Sequence, residues 1–226
     1  MTIPAPTDQF QADQTFVVLL GGALAVTPRV RADIVGARFV AADGGMRHAA
    51  TLGVTPEIWV GDFDSTPDDL VAAWPGVERQ PYPVAKNETD GAIAVSVAAE
   101  RGAKDIVLVG ALGGERSDHA LMHLLHAVSL AEDGYAIKLT SGEEEAWPLL
   151  PGSREIDLPK GSLFSVLGLD TLDGLTIAGA RYPLAGFHLP FGSSRTISNV
   201  AEGPVRFTLS SGRAILIARP HDFSGA

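Results

Sequence analysis

The chain has 226 residues, is 46% hydrophobic, and carries a formal net charge of −10 with a pI near 4.9. That balance argues against a nucleic-acid backbone or an anionic membrane surface as partner, and the length allows one large domain or two smaller ones, with about 70% of the unfolded surface buried. There is no cysteine, which excludes disulfides and thiolate metal sites.

The N-terminal stretch MTIPAPTDQFQADQ is polar and holds Pro4 and Pro6. It has neither a basic start nor an apolar run, so it reads as a flexible tail over 1–14 rather than a signal peptide. No stretch approaches the roughly 20 apolar residues of a membrane span. The expectation is a soluble, cytoplasmic protein.

Beyond the tail, short apolar runs alternate with helix-like segments. Phe16–Leu20 closes on Gly21-Gly22, Arg38–Ala42 on Asp43-Gly44-Gly45, Ile58–Val60 on Gly61-Asp62, and Asp105–Val109 on Gly110. Ala136–Thr140 is a fifth run. Continuous short apolar runs are how strands buried on both faces look. Helices are predicted over Met46–Leu52, Thr89–Arg101 and Asp118–Glu132, ending at Gly53, Gly102 and before Gly134. Strands alternating with helices predict a doubly wound, mostly parallel α/β sheet.

The texture changes after residue 145. Ser162–Leu167, Leu175–Ala178, Pro204–Leu209 and Ala214–Ala218 are β-prone, separated by turn signals such as Asp173-Gly174 and Ser211-Gly212. An antiparallel β-sandwich or roll is predicted. Ser141–Pro151 reads as the join, giving an α/β domain over 1–145 and a β-rich domain over 146–226.

Ligands of open α/β sheets bind at the carboxyl ends of the strands. Asp43, Asp62, Asp64 and the stretch Gly113-Gly114-Glu115-Arg116-Ser117-Asp118 all fall there. One such aspartate is ordinarily a turn former or cap; several on one rim suggest a site. If VGDFDST stays extended, Asp62 and Asp64 point to one face. Adjacent carboxylates repel unless a cation intervenes, and Mg²⁺ takes one or two carboxylates beside phosphate oxygens and water. The competing reading is an exposed acidic turn running into Asp68-Asp69. Asp90 is either a helix cap or a third metal ligand. Lys86 can reach a phosphate as a point charge. The glycines of GALGGERSDH let backbone approach an anion at a helix N-terminus, but neither a dinucleotide fingerprint nor a P-loop is present. His119, His123 and His126 share one helical face and read as partly buried helix residues, not zinc ligands.

In order, AADGG at 41–45, GDFDS at 61–65, KNETD at 86–90, GALGGERSDH at 110–119, GARYPL at 179–184 and SSRTISN at 193–199 resemble the thiamine pyrophosphokinase (thiamine diphosphokinase) family. The resemblance implies an α/β nucleotide domain, then a β-rich domain that binds thiamine and dimerises. It implies transfer of the β,γ-diphosphoryl group of ATP to the thiamine hydroxyl, leaving AMP, in a homodimer with thiamine where the subunits meet. On the matching motifs, Asp62, Asp64 and Asp90 are expected to hold Mg²⁺. Asp43, Gly44, Lys86 and Arg116 are expected on the ATP side. Asp118, with Asp90, is expected at the chemistry, orienting or deprotonating the hydroxyl. Tyr182, Ser194, Ser198 and Asn199 are expected on the thiamine side. The family often has an aromatic where this chain has Ser117. Competing readings are a hydroxymethyl-pterin diphosphokinase, a phosphatase with Asp62 as nucleophile, and a non-catalytic thiamine or nucleotide regulator.

Overall fold

The computed structural model describes residues 14–64, 66–83, 88–114 and 116–225. Residues 1–13 of the expected flexible tail, and Lys86, therefore lie outside the described residues. The chain divides into two compact units: one extends to His126 and includes Gly134–Gly142, and the other holds Ala127–Asp133 and everything from Glu143 onward.

The first unit alternates strand and helix: β1 (Thr15–Leu19), α1 (Pro28–Asp33), β2 (Arg38–Ala42), a 3₁₀ turn (Asp43–Met46), α2 (Arg47–Leu52), β3 (Ile58–Gly61), α3 (Asp68–Ala73), β4 (Glu78–Pro81), α4 (Asp90–Glu100), β5 (Asp105–Val109), the part of α5 (Ser117–Glu132) up to His126, and β6 (Ala136–Thr140). Every strand pair in it is parallel, in the order β6-β5-β1-β2-β3-β4. Val17, Leu19, Trp59, Val107 and Val109 are buried in one cluster with Met46 and Leu52, each such side chain contributing about 1.5–3 kcal/mol relative to exposure. This is why the strands read as unbroken apolar runs.

Two elements carried no such signal. β4 is Glu78-Arg79-Gln80-Pro81, a mostly exposed edge strand, where charge and proline blunt the open ladder. α1 is only six residues long, but Thr27 caps it by accepting from the Val30 N–H at 3.3 Å, with Pro28 in its first turn. At the amino ends of the strands, Arg38 makes a bidentate pair with Glu57 at 2.6 and 2.8 Å while its guanidinium lies 4.3 Å from the centre of the Phe16 ring. Lys138 of β6 is buried in an ion pair, 2.7 Å from Asp33 of α1.

Successive strands β2, β3 and β4 lie on one side of β1, and β5 and β6 on the other. The order in which strands are added thus reverses between β1 and β5. Loops leaving those two strands part company, and a crevice opens at their carboxyl ends.

The second unit is antiparallel throughout: β7 (Glu145–Leu149), β8 (Gly152–Ile156), β9 (Leu163–Gly168), β10 (Leu172–Ala180), β11 (Leu184–Leu189), β12 (Asn199–Leu209) and β13 (Ala214–Arg219). The order is β7-β13-β9-β12-β10-β11, with β8 also on β12. β12 pairs with β9 through Asn199 and Val200 and with β8 through Val205–Leu209. Between these segments lies Gly203, at φ 145°, followed by Pro204, a place where a strand can turn from one partner to the next. Trp147, Phe164 and Phe207 anchor this unit's core, the two phenyl rings meeting edge to face at 5.6 Å. The segment Ser141–Pro151, expected as a join, contains β7, all five residues of which are buried. The glutamates and Pro148 masked its strand character. The architecture is an α/β unit followed by an antiparallel β unit.

Candidate active site

A cleft of about 1130 Å³ opens at the carboxyl ends of the first unit's strands. Its floor is backbone. The turn after β1 and the turn after β5 are tied together: the Gly22 N–H donates to Gly110 O at 3.0 Å, and the Leu20 N–H to Val109 O at 2.8 Å. A Cβ on Gly22 would sit 2.3 Å from Gly110 O, and Gly110 itself has φ 73°. Only glycine allows the two turns to meet in this way.

The acidic motifs do not stay extended. β3 ends at Gly61, and Phe63 takes a left-handed conformation with φ 60°. The expected alternation of Asp62 and Asp64 across an extended strand is therefore replaced by a turn, in which the Asp64 N–H donates to Asp62 Oδ1 at 3.3 Å. Asp62 lines the cleft; Asp64 is exposed and is not part of its lining. Phe63 packs edge to face on Trp59 at 5.1 Å, and Trp59 Nε1 donates to Asp43 O at 2.8 Å. One buried indole so connects both acidic motifs. Asp43 is also left-handed, with φ 42°, and its Oδ1 accepts from Thr66 Oγ1 at 3.2 Å. Strained, non-glycine positions of this kind persist where the surroundings over-determine them.

At the start of α4, Thr89 rather than Asp90 supplies the capping oxygen, accepting from the Ala92 N–H at 3.2 Å. Asp90 follows in the first turn and lines the cleft. Among the described residues, no three His, Asp or Glu side chains gather into a ready-made metal site. Asp62, Asp64 and Asp90 thus do not form a closed cage. The donor chemistry still fits a hard cation. Among the described residues, Asp43, Asp62, Asp69, Glu88 and Asp90 line the cleft against Arg47 and Arg116. Five carboxylates against two guanidiniums leave three negative charges in excess, repulsive to a phosphate ester unless a cation intervenes. Mg²⁺ uses one or two carboxylates and takes its remaining oxygens from phosphate and water.

Arg116 lines the cleft and holds Asp118 in a bidentate pair at 2.9 and 2.8 Å. Asp118 is not part of the lining. Its bonds to Arg116, foremost among its surroundings, hold its carboxyl well below the usual carboxylate range. A carboxylate so paired is a poor proton acceptor, and its contact with Arg116 suits orientation better than base chemistry. Gly44 and Arg47 also face the cleft. Sequence reasoning passed over Arg47, because an arginine opening a short helix carries no motif. Here it donates to the carbonyls of Gly21 and Gly22. His123 and His126 are half-buried as expected, but His119 is exposed, and both His119 and His123 line the cleft; burial foremost pushes His48, His123 and His126 below the usual imidazole value.

In the second unit, Asn199 is buried and joins the strand start to Tyr182. Its Oδ1 accepts from the Tyr182 N–H at 3.1 Å and the Val200 N–H at 2.8 Å, while Nδ2 donates to Tyr182 O at 2.8 Å. The Tyr182 ring is left 62% exposed. Ser198 is left-handed at φ 60°, and its N–H donates to Ser165 Oγ at 3.0 Å. Ser194 O accepts from the Ile197 N–H at 3.2 Å, turning the loop that leads into Asn199. Tyr182 and Asn199 are brought together; the amide of Asn199 is occupied with backbone.

The thiamin pyrophosphokinase catalytic-domain family model matches residues 36–139, and the model of the thiamin pyrophosphokinase vitamin B1 binding domain matches residues 153–214. The thiamine pyrophosphokinase of Bacillus subtilis (strain 168) is 27% identical over 185 residues, covering 79% of this chain and 85% of that protein. Among solved structures, the thiamine pyrophosphokinase of Bacillus subtilis has a TM-score of 0.79 at 25% identity, covering 92% of this chain and 99% of that one. That of Geobacillus thermodenitrificans has a TM-score of 0.77 at 27% identity, covering 94% and 99%. The thiamin pyrophosphokinase of Candida albicans, 14% identical with a TM-score of 0.74 over 92% and 90%, shares the fold.

Proposed function

This chain belongs to the thiamine pyrophosphokinase family, and from that premise we propose that it transfers the β,γ-diphosphoryl group of ATP to the hydroxyl of thiamine. The observation that carries this reading is the match of both family models in order, one over the unit that bears the cleft and one over the β unit. The thiamine oxygen attacks Pβ, and the bond from Pβ to the oxygen bridging it to Pα breaks. AMP leaves with that bridging oxygen, and the hydroxyl proton passes to solvent or to a nearby acceptor.

Phosphoryl chemistry asks the protein for position and charge rather than covalent steps. The joined turns at Gly22 and Gly110 provide a backbone floor on which a triphosphate can lie. Arg47, Arg116 and Lys86 supply cationic contacts to its oxygens, with Asp43 and Gly44 beside them. Asp62 and Asp90 hold Mg²⁺, with Asp64 as the third carboxylate of the motif set. When bound, Mg²⁺ supplies charge neutralisation on the phosphate oxygens. Asp118 fixes the Arg116 guanidinium and, through it, the phosphate end of the reaction. Tyr182, Ser194, Ser198 and Asn199 form the thiamine side, Asn199 by holding the Tyr182 backbone. In this reading the protein acts as a cytoplasmic homodimer, as the family resemblance and the sequence lead us to expect. No helix among the described residues is long and apolar enough to cross a membrane.

The test is nucleotide product analysis. ATP with thiamine and Mg²⁺ should give AMP and thiamine diphosphate in equal amounts, and ATP alone should give neither. Formation of ADP, or thiamine-independent hydrolysis, would overturn the reading.

A further inference from the structure

Two histidines outside the acidic motifs, His48 buried and His123 half-buried, grip the floor of the cleft. His48 of α2 donates Nε2–H to Gly22 O at 2.9 Å. His123 of α5 donates Nδ1–H to Ala111 O at 3.1 Å. The two carbonyls belong to the turns after β1 and β5, already joined by the bond from Gly22 N–H to Gly110 O at 3.0 Å. Both rings rest against glycines. A Cβ built on Gly110 would lie 3.3 Å from His48 Nε2, and one on Gly91 would lie 3.4 Å from His123 Nε2. Burial favours the neutral form of each ring. A neutral imidazole has a single N–H, so each ring's donor is assigned to a turn carbonyl and its tautomer is set.

We infer that His48 and His123 are positioning residues that latch the two glycine turns, holding the cleft floor in the shape that receives the nucleotide's phosphates. The inference rests on the cleft being the ATP site. His48 is not part of the cleft lining, and His123, which is, acts here through its bond to Ala111 O. A backbone floor recognises phosphate only if its N–H groups point one way, and these glycine turns are the segments of the cleft with the widest conformational choice. With Arg47 also donating to the Gly21 and Gly22 carbonyls, the two imidazole latches and the backbone bond remove that choice before the ligand arrives, which is pre-organisation.

The experiment compares near-isosteric variants with and without a donor: His48→Gln with His48→Met, and His123→Asn with His123→Leu. Binding of α,β-methylene-ATP, which cannot be cleaved at the reacting bridge, is measured by calorimetry with Mg²⁺ and without thiamine. KM for ATP, KM for thiamine and kcat are measured alongside. Loss of one ordering hydrogen bond should weaken analogue binding and raise KM for ATP about tenfold in the Met and Leu variants. The Gln and Asn variants should stay within about threefold of the parent, and KM for thiamine should be unchanged in all four. Equal affinity in donor and non-donor variants overturns the latch, as does equal loss in both. If Met or Leu variants do not fold, near-parent binding by Gln and Asn supports the latch, and tenfold weakening in them overturns it. Analogue binding by the parent without diphosphate transfer to thiamine would sink the proposed activity and leave the latch standing. Failure of the parent to bind the analogue overturns both.

Discussion

The two units handle their motif residues in opposite ways. In the α/β unit, the aspartates stand at strand ends and helix starts, and Asp43, Asp62 and Asp90 face an open cleft. Backbone holds them in place, with Trp59 bracing the turns from beneath. In the β unit, the motif residue Asn199 is buried and its amide bonds to backbone at Tyr182 and Val200. The first arrangement leaves charge available for a ligand. The second uses polar atoms to set the shape of a surface, with Tyr182 exposed above it. Residues in one family's motifs can thus serve chemistry or architecture, and hydrogen-bond partners distinguish the two.

That contrast is open to direct attack. The largest effect is expected from Asp62→Ala and Asp90→Ala. Each should lower Mg²⁺-dependent turnover on the order of 10³-fold, the equivalent of several kcal/mol of lost charge stabilisation. Urea unfolding should shift by no more than about 0.5 kcal/mol, as for other partly exposed positions. Unfolding of these variants, or turnover within tenfold of the parent, would erase the distinction between the units.

Asn199→Ala should behave in the reverse order. It removes three bonds to backbone at a buried position, at a cost of about 2–4 kcal/mol in urea unfolding. KM for thiamine should rise with it, while binding of α,β-methylene-ATP stays as in the parent. Unchanged stability with a selective loss of thiamine affinity would instead make Asn199 a direct ligand.

The smallest effect concerns the ion pairs of the first unit, away from the cleft. Hydrogen bonding to Arg38, foremost among several causes, lowers the Glu57 carboxyl below its ordinary 4.5. A carboxylate whose folded value is depressed adds stability above the unfolded value and loses it as pH falls through the folded one. Glu57→Gln should therefore cost about 1 kcal/mol or less at neutral pH, since the pair is partly solvated. The gap between parent and variant should close as pH falls below 4.5. A constant gap down to acid pH would mean that Glu57 works by packing alone.

The strands at Arg38–Ala42, Asp105–Val109 and Ala136–Thr140 were legible because burial on both faces keeps them mostly apolar, with Lys138 admitted only through its ion pair to Asp33. The missed β4 is exposed, and the missed β7 is buried but carries glutamate and proline. In neither case does composition report pairing, which depends on distant partners. The acidic rim was visible as aspartates following apolar runs. Arg47 was not, because its meaning comes from Gly21 and Gly22, which lie more than twenty residues earlier in the chain.

By itself the sequence determined the class of the fold, the order of its motifs and the family they resemble, since local periodicity and residue chemistry are carried in the chain. Only tertiary structure decided what each polar group does. Asp62 and Asp64 were equivalent neighbours until Phe63 turned left-handed and put one in the cleft lining and the other outside it. Asp118 could orient or deprotonate by sequence alone, and it is the fold that pairs it with Arg116. His48 and His123 were two of six histidines until each was found bonded to a glycine-turn carbonyl or its neighbour. A side chain's role follows from its partners, and those are chosen by the fold.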